Sequence, residues 1–74
     1  MIIEDVKDFG AIIRKHRKNQ QITQRQIAAL AGVSPRLVSE LERGKATIEI
    51  GRAFRVAKTL GLTIEVKEDI WGAH

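Results

Sequence analysis

The stretch Thr23–Gly44 dictates the geometry of everything around it. Thr23 is a good helix cap, and Gln26 stands three residues on, where its side chain can reach back to the start of the helix. Ile27, Ala28, Leu30 and Ala31 form an apolar stripe at helical spacing, and Gly32 follows directly, suited to the left-handed residue that ends a helix. After Val33 comes Ser34-Pro35. Serine is a preferred cap, and proline is tolerated in the first turn because its missing N–H would find no helical acceptor there. Val38 and Leu41 face inward, and Gly44 closes the segment. The spacing predicts a helix over 24–31, a tight glycine turn, and a helix over 35–43.

The flanks carry weaker signals of the same kind. Asp5 with Asp8 resembles a capping box, and Val6, Phe9, Ile12, Ile13 and His16 recur at helical spacing, predicting a helix over 6–19. Asn19-Gln20-Gln21 reads as a turn. Ile50, Ala53, Val56, Ala57 and Leu60 mark a fourth helix ended by Gly61, with Thr47 and Glu49 both eligible as its cap. The period then changes. Leu62-Thr63-Ile64-Glu65-Val66-Lys67 alternates apolar and polar, which predicts a strand. Only Ile2-Ile3 could pair with it in this chain, so its edge calls for a second chain. Trp71-Gly72-Ala73-His74 has no defined pattern. The expected division is 1–61 as the helical domain and 62–74 as a dimerisation strand and tail.

Composition enters where it limits these elements. At 74 residues the core is thin, and the absence of cysteine removes disulfides and thiolate metal sites. Oligomerisation is the remaining staple, and a reducing, cytoplasmic location is expected. The longest apolar run is five residues, Ile27–Ala31, so no membrane span is expected. The formal charge of +4 conceals a gradient: residues 14–58 hold eleven Lys/Arg against three acids, a net +8, while both ends are mildly acidic. A basic body points to a polyanionic partner.

Two short helices about a glycine turn match helix-turn-helix geometry. Small Ala28 lets the helices cross closely, and Val38 fills the space between them. Ser34, Arg36, Ser39 and Glu40 share the face opposite Val38 and Leu41, the face that would enter a DNA major groove.

The run Thr23-Gln24-Arg25-Gln26-Ile27-Ala28, then Gly32-Val33-Ser34, then Val38-Ser39-Glu40-Leu41-Glu42-Arg43-Gly44 resembles the Cro/C1-type helix-turn-helix, or xenobiotic-response-element, family. The resemblance implies an all-α fold with a minor β element: a four-to-five-helix, lambda-repressor-like DNA-binding domain plus a C-terminal strand pairing across a homodimer. It implies base contacts at Ser34, Arg36 and Ser39, where Arg36 would suit guanine O6 and N7. It implies phosphate contacts at Arg17, Gln24, Arg43 and Lys45. Arg17 and Glu42 match a pair that in lambdoid repressors clamps the first helix to the third. Pro35 stands where some relatives place a base-reading glutamine, so any reading there is apolar or absent.

Residues 53–66 are similar to the end of HipB-type antitoxins, which pair their terminal strand across the dimer, repress their own operon and bind a kinase-like toxin, HipA. That likeness implies a dimer interface at Phe54, Leu62, Ile64 and Val66, a pseudo-palindromic double-stranded operator, and a HipA-like toxin partner. The competing expectations are a stand-alone phage-type repressor or restriction–modification controller without a toxin, and an adaptor that does not bind DNA. His16 reads as a packed or edge histidine, since only terminal His74 could join it at a metal. Trp71 reads as an interface anchor or a free tail residue. No nucleophile elbow, phosphate loop or metal set is present in the sequence, so neither an enzyme nor a cofactor is expected.

Overall fold

A computed structural model describes residues 2–68 of the chain; the tail carrying Trp71 and His74 lies outside the described residues. Four helices follow in order: α1 (Val6–Asn19), α2 (Gln24–Ala31), α3 (Pro35–Glu42) and α4 (Ile50–Thr59). Each begins on a side-chain cap that satisfies backbone N–H groups the helix itself cannot. The Asp5 carboxylate accepts from Asp8 N–H at 2.9 Å, and Ser34 Oγ accepts from Leu37 N–H at 3.1 Å. Thr23 and Gln26 form a reciprocal box, with bonds of 3.1 and 2.9 Å. Glu49, rather than Thr47, starts α4, accepting from Gly51 and Arg52 N–H, both at 2.9 Å.

The helix ends follow one device. After α2, Gly32 takes φ +71°, its N–H donates to the Ala29 carbonyl, and Val33 N–H donates to the Ala28 carbonyl. The other three helices end on equivalent bond pairs. After α1, however, the left-handed residue is Gln21 at φ +57°, a position where a Cβ costs energy.

The helices meet over one core. Phe9 and Ile13 come from α1, Ile27, Ala28 and Ala31 from α2, Leu37, Val38 and Leu41 from α3, and Ala53, Val56 and Ala57 with Leu60 from α4 and its end. Leu37 adds to the inward stripe expected on α3. The third helix packs on all the others and is therefore held from three sides. Its approach to α1 is so close that a Cβ built on Gly10 would lie 2.0 Å from the Leu41 carbonyl oxygen. The helix pair thus meets backbone to side-chain-free backbone, and only glycine fits.

The strand expected over Leu62–Lys67 is not formed: among the described residues there is no strand. Alternation supplies a face but not a partner, and a strand exists only where another backbone completes its ladder. Leu62 N–H donates to the Ala57 carbonyl, and its side chain packs on the helical core. Beyond it the chain is exposed, and residues 63–67 line a shallow groove together with Ile2 and Ile3.

Candidate nucleic-acid interface

With Leu37, Val38 and Leu41 buried, α3 turns its other side to solvent. Arg36 stands on that side with its side chain 85% exposed, Arg43 is exposed beside the helix end, and Ser34 is exposed at its start. Ser39 is half-buried on the same side. Ser34 Oγ accepts the capping bond, which leaves its hydroxyl proton and one lone pair for a ligand. Lys45 follows the helix across the Gly44 turn and is largely exposed. Arg43 forms no ion pair among the described residues.

Behind this surface lies a brace. Arg17 Nε and Nη2 donate to the two Glu42 carboxylate oxygens at 2.6 and 2.9 Å, a bidentate fork linking α1 to α3. Arg17 Nη1 donates to the Ile22 carbonyl at 2.8 Å, and Gln24 Nε2 donates to Glu42 Oε1 at 3.0 Å. The two side chains of the pair are only 10% and 4% exposed, so charge is removed from water and repaid by four hydrogen bonds. The bond to Glu42 raises the pKa of Arg17 against the pull of its burial. That rise keeps the Arg17 guanidinium charged at any ordinary pH.

The brace bears on the expected phosphate set. Arg17 is buried with its donors committed inside the domain, so it has no exposed fork to hold out to a phosphate. Gln24 spends one amide hydrogen on Glu42 and keeps another free. Arg43 and Lys45 remain outward. Lys45 Nζ donates to Glu40 Oε2 at 3.0 Å, and Arg36 Nε lies 3.5 Å from the same oxygen. The hydrogen bond from Lys45 holds the Glu40 carboxyl below its usual range. This pairing is complete at neutral pH and is lost only as acid takes the solution through that lowered pKa. Sequence reasoning placed Glu40 on this face without seeing its two cations. The Arg36 spacing of four residues was a usable signal for one of them.

The residues expected at a dimer interface divide. Phe54 is 39% exposed and meets Phe9 edge-on, with ring centroids 6.2 Å apart. Leu62, expected at that interface, instead packs half-buried on its own core. Ile64 and Val66 are open to solvent, Val66 at 93%. His16 is half-buried on α1. Among the described residues no helix is long and apolar enough to cross a membrane.

The fold and sequence have known counterparts. A family model described as Helix-turn-helix matches residues 13–67. An uncharacterized HTH-type transcriptional regulator of Sinorhizobium fredii is 41% identical over 64 residues, covering 86% of this chain and 84% of the relative. Another, from Methanothermobacter thermautotrophicus, is 36% identical over 50 residues, covering 68% of this chain and 72% of the relative. Among solved structures, a HipB–O4 20mer complex superposes with a TM-score of 0.84 over 92% of this chain and 96% of that one, at 16% identity. A HipB(S29A)–O2 20mer complex gives the same TM-score and identity, with 94% of its chain covered. At such identity the likeness is one of fold: four helices arranged as in HipB. The family match over most of the length, the close relatives and the braced α2–α3 pair together place this chain in the Cro/C1-type helix-turn-helix family.

Proposed function

We propose that the protein is a sequence-specific DNA-binding transcriptional repressor that works as a symmetric homodimer on a pseudo-palindromic operator. The observation that carries this reading is α3, fixed by the Arg17–Glu42–Gln24 brace while Arg36, Ser39, Ser34 and Arg43 face outward. In this reading α3 lies in the major groove. Arg36 takes guanine, Ser34 and Ser39 take neighbouring base edges, and Gln24, Arg43 and Lys45 hold phosphates. The second copy would lie about 34–36 Å away along the duplex. Residues 62–67 would find their missing ladder in that copy, with Ile64, Val66 and Phe54 at the seam.

The test is duplex selection from a randomised pool, followed by titration of wild type and Arg36→Ala. The variant should lose about 1–3 kcal/mol on the selected site and relax one base position. Equal losses on selected and random duplexes would demote Arg36 to a phosphate contact. Removal of residues 62–74 should give a monomer by sedimentation, and a persisting dimer would move the interface elsewhere.

The finer reading is an antitoxin of a toxin–antitoxin operon, repressing its own promoter and binding a HipA-like kinase toxin. Its support is the fold shared with HipB. Purification of the native protein with its bound proteins tests it. Recovery without a kinase-type partner would favour a stand-alone repressor or restriction–modification controller.

A further inference from the structure

Glu40 is an anomaly on the outward side of α3. Around it stand Arg36, Arg43, Lys45 and two serines, yet it is an acid, and its side chain is only 18% exposed. Glu42, the other acid of this helix, is turned inward and neutralised by Arg17. Glu40 caps no helix and joins no core contact. One of its oxygens, Oε2, is shared by Lys45 Nζ at 3.0 Å and Arg36 Nε at 3.5 Å. A single carboxylate oxygen therefore draws together the side chain suited to a base edge and the one suited to a phosphate.

Such a group works against affinity. It cancels part of two cations in the free protein, and on DNA it would stand among phosphates. Its charge is tolerable in a groove only where a donor meets it, and the donors there are the exocyclic amino groups of cytosine and adenine.

Given the DNA-reading role of α3, we propose that Glu40 is a specificity-determining residue that pairs with Arg36 and Lys45 in the free protein and, once DNA draws both cations away, needs a base amino group to meet its carboxylate. On a matching site, phosphate takes Lys45, guanine takes Arg36, and the amino group satisfies Glu40. On any other sequence the two cations still leave, and the carboxylate is stranded opposite an acceptor. The discrimination comes from that penalty on wrong sequences more than from a gain on the right one. The depressed pKa noted above keeps the group ionised at neutral pH, as this role requires.

Selection from a randomised duplex pool with wild type and with Glu40→Gln tests the idea, together with titration of both against a random-sequence duplex over a range of salt. Thermal melting should be nearly the same for the two proteins, because Glu40 supports no cap or core. The variant should bind random duplex severalfold more tightly. Its selected motif should lose one amino-bearing base in each half-site while keeping the guanine read by Arg36. Whether that base is cytosine or adenine is read directly from the wild-type motif. Glu40→Ala, which has no acceptor at all, should relax the same position. An unchanged motif with an unchanged ratio of selected to random affinity overturns the role of Glu40 alone. If wild type enriches no motif even at low salt, the DNA-reading role of α3 falls, and that of Glu40 with it.

Discussion

Residues 23–43 and residues 62–68 carry equally regular apolar patterns, and only the first becomes a regular element. In α2 and α3 each signal is answered within the chain. Thr23, Gln26 and Ser34 satisfy the helix starts, Gly32 the turn, and Leu37, Val38 and Leu41 meet the core. In 62–68 the alternation is just as clean, but its hydrogen-bonding groups have no ladder and Val66 faces water. A helix closes its own hydrogen bonds, whereas a strand borrows another's. The same kind of pattern is therefore a statement about structure in one region and about a missing neighbour in the other.

This contrast can be broken at its strongest point first. Glu42→Ala would strand the Arg17 guanidinium inside the domain, and a loss of about 3–5 kcal/mol is expected by urea unfolding. Replacing both partners, Arg17→Met with Glu42→Leu, should recover most of that loss, because no buried charge remains. A double variant as unstable as the single one would show that the pair is valued for more than its mutual neutralisation.

Next comes the α1–α3 crossing. Gly10→Ala places a methyl where the Leu41 carbonyl stands, so the helices must separate, at an expected cost of about 1–3 kcal/mol on the same assay. Gln21→Gly should act in the opposite direction. It relieves a side chain from the left-handed region and should stabilise by about 0.5–1 kcal/mol, read as a higher melting temperature. If it does not, the left-handed conformation costs Gln21 nothing measurable in this turn.

The smallest effect belongs to the other region. Val66→Ala should change the stability of the dilute monomer by less than about 0.5 kcal/mol, since the side chain is in water already. If melting is concentration-dependent in wild type and not in this variant, residues 62–67 are ordered by a second copy. A large loss at high dilution would instead mean that this segment supports its own chain.

How much of this was legible depended on distance along the chain. The caps at Asp5, Thr23 and Ser34 and the turn at Gly32 join residues no more than a few positions apart, and their chemistry can be read from residue types. The choice between Thr47 and Glu49 needed the backbone. The Arg17–Glu42 pair spans 25 positions and was reached only through resemblance to a family. That the fork leaves Arg17 buried with its bonds inside the domain is seen only in the structure, because burial is a property of the assembled helices. Gly10 gave no signal either. Its demand arises from Leu41, a residue with which it shares nothing until α1 and α3 cross. The strand expected over Leu62–Lys67 is absent from the single chain because alternation specifies two faces and leaves the partner open.

The dryness of the Arg17–Glu42 fork has a practical corollary. Ions screen charges that water reaches and scarcely touch those that it does not. The brace should therefore hold at ionic strengths that strip exposed cations such as Arg36, Arg43 and Lys45 of any phosphate they have met. Raising salt would then empty the outward face of α3 while leaving its shape intact, and lowering it again would restore binding without refolding. The molecule carries two electrostatic systems with different sensitivities to the same solvent, one that keeps its form and one that governs its attachments.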